Sequence, residues 1–206
     1  VTIAETTRPR TGVDVDPVRE HLRDAAAALI AAEQHADRLR AWGVELAARL
    51  SRGQRILVGG NGGSAAEAQH LTAELVGRYQ HDRPAFSAIA LNAESSSVTA
   101  IGNDYGFDEV FARQVRAHAR PDDIVLLLST SGASPNLLKA VQAAREAGAT
   151  TWALTGPGPN PLADASDEAI CLEGASPHVQ EAQLAAIHAV CLVFDAQVAN
   201  EEGARS

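Results

Sequence analysis

The chain is poor in the features that mark several common function classes. It has one lysine, Lys139, and its 17 basic residues are outnumbered by 26 acidic ones, for a formal net charge of −9. That balance excludes an extended cationic surface for nucleic acid, yet leaves room for a locally positive site that takes an anionic substrate. The only cysteines, Cys171 and Cys191, show no CxxC spacing and no zinc-finger pattern. Both read as small buried apolar groups of a reduced, cytoplasmic protein. No uninterrupted apolar run approaches the roughly 18 residues that cross a bilayer. The opening VTIAETTRPRTGVDVDP has no apolar core of the signal-peptide kind. Neither a membrane partner nor secretion is expected. No GK[ST] completes a Walker loop, no GxGxxG stands in register for a dinucleotide, and no magnesium motif favours phosphoryl transfer.

What is present is a core. Apolar residues make up 46% of 206 residues, enough for one domain. Residues 1–15 are polar and read as disordered; 16–206 read as a single domain. Asp16-Pro17 has the form of an N-cap followed by proline at the first helical position. A long helix is predicted over 17–50, with Leu22, Leu29 and Ala36 on one stripe and Ala25, Ala32, Leu39 and Leu46 beside it. Such a seam packs either on its own domain or, as favoured here, against another copy of the chain. Short apolar runs follow at 55–58, 86–91, 124–128, 151–154 and 169–172, separated by helical stretches at 64–76, 108–119, 136–147 and 179–199. Apolar strands alternating with helices predict an α/β fold: a doubly wound, parallel, five-stranded sheet with helices on both faces. Ligands of such folds bind in loops at the carboxyl ends of strands, at a topological switch point.

Two of those loops carry anion-binding chemistry. GGNGGS follows the first strand; its glycines let backbone N–H groups approach a ligand, and Ser64 could cap the next helix. A plain tight turn explains that loop almost as well. The loop after the third strand, Ser129-Thr130-Ser131-Gly132-Ala133-Ser134, puts four hydroxyls in six positions at a helix start. Capping needs one, so the loop reads as a pocket for a phosphomonoester, with the phosphate a handle and not the reacting group.

His70 and Glu74 stand four apart, on one helix face, beyond the first loop. The pair could ligate a metal, or Glu74 could act as a general base; an ordinary surface pair is the common alternative. Near the end of the chain Gln180 and Glu181 lead into an apolar helix holding His188, either a satisfied core histidine or a functional one. Gln180 and His188 would lie about 12 Å apart along a helix. Either an irregular helix start closes that gap or the two serve different copies of the site.

With these residues in view the chain resembles the phosphoheptose isomerases of the sugar isomerase (SIS) superfamily. The likeness rests on GNGGSAAEAQHLTAELVGR, AIGNDYGFDEVFARQV, STSGASPNLLKA and VQEAQLAAIH, in that order, from about Gly59 to Phe194. The resemblance implies a SIS-type, flavodoxin-like sandwich in a homotetramer whose N-terminal helix serves oligomerisation. It implies one zinc per subunit at His70, Glu74, Gln180 and His188. It implies sugar-phosphate contacts at Asn61, Gly62, Gly63, Ser64, Glu74, Asn103, Asp104, Ser129, Thr130, Ser131, Ser134 and Gln180; alone, the stretch around Asn103 and Asp104 reads as a turn. The implied activity is aldose–ketose isomerisation of sedoheptulose 7-phosphate to D-glycero-D-manno-heptose 7-phosphate through an enediol, with Glu74 and His188 as acid and base. The alternatives are a non-catalytic SIS protein of the type that associates with the replication initiator, a SIS-type transcription regulator, and an isomerase for another ketose phosphate of specialised metabolism. The presence of both Glu74 and His188 favours an enzyme, and residues 1–50 offer no helix-turn-helix. Two positions depart from the family pattern. Glu94 stands where many relatives carry aspartate, which would alter the grip on a sugar hydroxyl. Gln183 stands where some carry histidine, which would alter a contact behind the metal.

Overall fold

The computed structural model describes residues 16–205; the expectation of disorder for 1–15 lies outside them. Helix α1 (Pro17–Ala31) starts as the sequence dictates, with the Asp16 carboxylate accepting from Val18 N–H at 3.0 Å and Pro17 in the first turn. The single helix expected over 17–50 is in fact two. A 3-10 turn, Ala32–His35, separates α1 from α2 (Ala36–Leu50), and His35 leaves the helical region at φ −97°, ψ 6°. The break falls at Glu33-Gln34, where the apolar stripe gives way to exposed polar side chains.

The α/β core follows: β1 (Ile56–Gly60), α3 (Gly63–Val76), β2 (Ala88–Ala90), α4 (Ser95–Tyr105), α5 (Ala112–His118), β3 (Ile124–Ser129), α6 (Pro135–Glu146), β4 (Thr150–Thr155), α7 (Pro161–Ala165), β5 (Glu168–Cys171) and α8 (Ser176–Arg205). All five strands are parallel, in the order β2-β1-β3-β4-β5. Strand residues alternate between two cores, as a period of two requires. Ile56, Val58, Ile124, Leu126, Leu128, Trp152 and Leu154 face α2, α3 and α8; Leu57, Val125, Leu127 and Ala153 face α5, α6 and α7. Trp42 of α2 stacks on Trp152 of β4, centroids 4.6 Å apart and planes within 6°. Gly43 lets α2 lie close to α8, since a Cβ there would come within 2.6 Å of Val193 Cβ.

Three further elements differ from expectation, among them the short helix α7, which falls outside the expected helical stretches. The polar stretch Ser95–Tyr105 is helical because the Glu94 carboxylate caps it, accepting from Ser96 N–H at 3.1 Å and Ser97 N–H at 2.6 Å. Asn103 and Asp104 therefore close a helix and do not form a turn. The helix expected over 108–119 is a 3-10 turn, Phe107–Glu109, followed by the shorter α5. Helix α8 is the one described helix long and apolar enough to suit a bilayer, with a mean hydropathy of 1.5. Its length was hidden by the polar residues that punctuate it. Here it is a core helix, packed on α1, α2 and α3.

Candidate active site

The strand order creates the site. β1 and β3 are neighbours, with Gly60 opposite Leu128, while their following helices cross opposite faces of the sheet. Their two loops therefore open side by side at the carboxyl edge, where the strand order reverses. A reciprocal amide pair joins them: Asn61 Nδ2 donates to Asn136 Oδ1 at 3.0 Å, and Asn136 Nδ2 donates to Asn61 Oδ1 at 2.9 Å. Asn136 is buried, in the first turn of α6.

The glycine-rich loop runs into α3 with Gly62 at the N-cap, at φ 58°. Ser64 does not cap the helix. It lies inside the first turn, and its hydroxyl points to Gln183 Oε1 at 3.4 Å. Gln183 is fully buried, and its Nε2 donates to the Leu154 carbonyl at 2.7 Å. The glutamine that departs from the family pattern thus ties α8 to β4 and α3 and makes no hydrogen bond to the histidines. Gln180 lies over Gly63, where any β-carbon would collide with its amide.

The hydroxyl-rich loop is braced from within. Buried Ser129 accepts from Gly132 N–H at 3.0 Å, and Ser131 accepts from Ala133 N–H at 3.3 Å. Thr130 and Ser134 are half-buried, Ser131 is exposed, and Ser134 makes no capping bond to its own helix. Gly132 has φ 62° and packs on the side chain of Asn160. Asn160 is held in turn by Thr155 Oγ1 at 2.9 Å and Ala163 N–H at 3.0 Å. Neither Asn136 nor Asn160 stood out in the sequence: Asn136 also reads as a helix start, and Asn160 falls in a stretch with no expected element.

Three of the four expected metal ligands converge. His70 Nε2 lies 2.9 Å from His188 Nε2 and 3.1 Å from Glu74 Oε1, and one ligand atom from each residue falls within 4.8 Å of the others. Two imidazole nitrogens and a carboxylate oxygen suit zinc. Ligands about 2 Å from a tetrahedral ion stand roughly 3.3 Å from one another, so this donor set fits with small adjustments. The Tyr79 ring stacks on His188, centroids 5.3 Å apart. Gln180 does not join the three. Helix α8 is continuous from Ser176, so no irregular start shortens its distance to His188, and the rise of about 12 Å stands. Helices α3 and α8 lie side by side, with Gly63 beneath Gln180, Ser64 beside Gln183, and His70 with Glu74 beside His188.

One residue of this region was missed although its spacing was readable: Glu67, three before His70 and seven before Glu74. It is 9% exposed, its Oε2 is buried without a partner among the described residues, and burial pushes its carboxyl up to about 7. A folded-state pKa above the unfolded value means that stability is full below about 4.5 and falls as pH rises through 7. Glu67→Gln should therefore gain up to about 2–3 kcal/mol of unfolding free energy over the parent at pH 8 and nothing at pH 4.5. Urea titrations at the two pH values measure it.

Asn103 and Asp104 sit exposed in the last turn of α4, where Asn103 Nδ2 donates to Asp104 Oδ1 at 2.8 Å. They make no hydrogen bond to the other candidate residues. Glu94 serves as a cap, and hydrogen bonds from the Ser97 side chain and backbone hold its carboxyl below the usual carboxylate range.

Comparison with known proteins gives the family. Residues 20–156 match the SIS domain family. The phosphoheptose isomerase of Streptomyces coelicolor is 59% identical over 192 residues, covering 92% of this chain and 83% of that protein. The solved phosphoheptose isomerase of Francisella tularensis superposes with a TM-score of 0.81 at 32% identity, covering 90% of this chain and all of that one. That of Neisseria gonorrhoeae gives 0.79 at 37%, covering 87% and 97%.

Proposed function

Because the chain belongs to the phosphoheptose isomerases of the SIS domain family, and so to the aldose–ketose isomerases, we propose that it converts sedoheptulose 7-phosphate to D-glycero-D-manno-heptose 7-phosphate through an enediol. The observation that carries this reading is the meeting of Glu74, on the helix α3 that starts at the glycine-rich loop, with His188 of α8. The phosphate rests in the hydroxyl-rich loop, on Ser129, Thr130, Ser131 and Ser134. Asn61, Gly62, Gly63, Ser64 and Gln180 hold the sugar at the joined loops, on the phosphate side of the reacting carbons, and Asn103 and Asp104 take sugar hydroxyls. Glu74 removes the proton from C1 of the ketose and returns one to C2. That role needs a base within about 3 Å of the carbon-bound proton. His188 moves protons between the two oxygens and assists ring opening. His70, Glu74 and His188 would hold a zinc ion, which when bound polarises the neighbouring carbonyl and hydroxyl of the sugar. Gln180, which lies against Gly63, contacts the sugar in this reading, and it could reach a zinc ion only if Gln180 and His188 serve different copies of the site.

Self-association into a homotetramer belongs to the same reading. The stripe residues of α2, Leu39 and Leu46, are spent on the chain's own core. On α1, however, Val18 (64% exposed), Leu22 (62%) and Leu29 (42%) are left facing outward, with Leu192 of α8 also exposed. Unpartnered apolar side chains of that density mark a contact surface. A cytoplasmic location suits a phosphorylated substrate and free thiols.

The proposal is tested by turnover of sedoheptulose 7-phosphate with the purified protein, as isolated, after chelator treatment, and after zinc is restored. Turnover should fall at least about tenfold on chelation and return with the metal. Folded protein inactive under all three conditions would overturn the assignment, and turnover of a different ketose phosphate alone would replace the substrate.

A further inference from the structure

Glu74 lies two residues from the end of α3. Helix ends leave their last carbonyls without partners and fray, which is a poor place for a group that must be fixed to a fraction of an ångström. Ordinary capping is thin here: Gly77 N–H bonds back to the Ala73 carbonyl at 2.8 Å, and the turn carries no basic residue of its own. A side chain from beyond the helix supplies what is missing. Arg83 is only 4% exposed at its side chain. Its Nη2 donates to the Glu74 carbonyl at 2.6 Å, and its Nη1 donates to the Leu75 carbonyl at 3.1 Å and to the Pro84 carbonyl at 3.0 Å. The remaining edge is taken by α8, since Nε donates to Asp195 Oδ1 at 2.7 Å. The guanidinium also lies against two aromatic rings, 5.5 Å from Phe86 and 5.1 Å from Phe194, which meet each other edge to face.

We propose that Arg83 is a positioning residue for isomerisation: it locks the last turn of α3, which bears Glu74, to α8, which bears His188. The inference rests on the reading of Glu74 as the proton acceptor. Arg83 itself touches neither the imidazole nor the carboxylate of the cluster. It acts through the backbone of Glu74 and through Asp195, which stands two turns along α8 from His188. A planar fork is required. One ion must reach two successive helix carbonyls and a carboxylate while packed against two rings, and only arginine offers donors in that geometry. Its positive charge also suits the negative end of α3. Lysine at this position keeps the charge and the Asp195 partner but cannot hold all the acceptors at once, so the last turn, and Glu74 with it, is released.

The test is steady-state kinetics of Arg83→Lys and Asp195→Asn on sedoheptulose 7-phosphate, together with Glu74→Gln and the double variant Glu74→Gln/Arg83→Lys, each checked for a cooperative melting transition. Arg83→Lys should lower kcat about 30-fold and Asp195→Asn about 10-fold, with KM within about twofold of the parent, because misplacing a reacting group by about an ångström costs up to 100-fold while the phosphate loop is untouched. In the Glu74→Gln background Arg83→Lys should have no further effect on kcat, since there is no proton acceptor left to place. Parent-like kcat in Arg83→Lys, a loss carried by KM, or losses that add with Glu74→Gln would overturn the inference. Should Arg83→Lys not fold, Asp195→Asn and its double variant with Glu74→Gln decide by the same criteria. Full activity in Glu74→Gln alone would instead remove the proton-acceptor reading, whatever Arg83 does.

Discussion

Replacing Glu74 by glutamine is expected to lower kcat for sedoheptulose 7-phosphate by about 10³-fold or more, with KM changed by no more than a few-fold. Glutamine has nearly the same shape, so the helix face and its contact with His70 at 3.1 Å can be kept. What is lost is the capacity to accept a proton, together with the one carboxylate of the candidate zinc site. An enediol cannot form unless the proton on C1 has somewhere to go, and His188, though next to the cluster, stands on the other helix. Binding should survive because the phosphate contacts proposed above come from residues 129–134, at and after the end of β3. Measuring kcat and KM separately, with isothermal titration of the sugar phosphate as a control, distinguishes the two. A variant that keeps even a tenth of parent turnover would remove Glu74 from the chemistry.

The second large effect is expected at Gly132. The residue has φ 62°, a left-handed conformation that costs an ordinary side chain about 1–2 kcal/mol. A β-carbon would also overlap the Asn160 side chain. Asn160 cannot withdraw easily, because its amide is bonded to Thr155 Oγ1 and its carbonyl oxygen to Ala163 N–H. The backbone of Gly132 is fixed at both ends as well, its N–H by Ser129 Oγ at 3.0 Å and its carbonyl by Leu162 N–H at 2.8 Å. Gly132→Ala must therefore shift the loop that is proposed to hold the phosphate. We expect kcat/KM to fall about 100-fold, mainly through KM, and Tm to fall by about 5–10 °C, as a loss of 2–3 kcal/mol implies for a chain of this size. Kinetics and a melting curve on one preparation check both. An alanine variant with parent-like KM and Tm would show that the loop tolerates displacement.

The elements most legible in the sequence were those in which one physical pattern dominates. The strands around Leu57, Leu126 and Ala153 are short, apolar on both faces and bounded by polar or glycine-rich loops. Nothing else fits such runs, so their positions followed directly. Helix α4 was illegible for the opposite reason. Its residues SSSVTAIGNDY are weak helix formers with no apolar stripe and no buried member, and the Glu94 cap starts a helix that propensity would not. The site divides along the same line. The hydroxyl-rich loop and the spacing of His70 and Glu74 are local, and both could be read. The partnership with His188 spans 118 residues and that of Arg83 with Asp195 spans 112, so each depends on α3 and α8 lying side by side. Gln180 shows the limit most clearly. Its spacing from His188 raises the right question, but only the continuity of α8 shows that the two residues stand about two turns apart, Gln180 against Gly63 and His188 in the His70–Glu74 cluster.

The central claim is that Glu74 and His188 act together on a sugar phosphate held by the two joined loops. Proton NMR of sedoheptulose 7-phosphate incubated with the protein in deuterium oxide tests it most directly. The expected result is a growing aldose anomeric resonance and solvent deuterium at C2 of the product, both absent with Glu74→Gln. An unchanged ketose spectrum from folded, zinc-supplied protein, or aldose formed as fast by Glu74→Gln as by the parent, would contradict it.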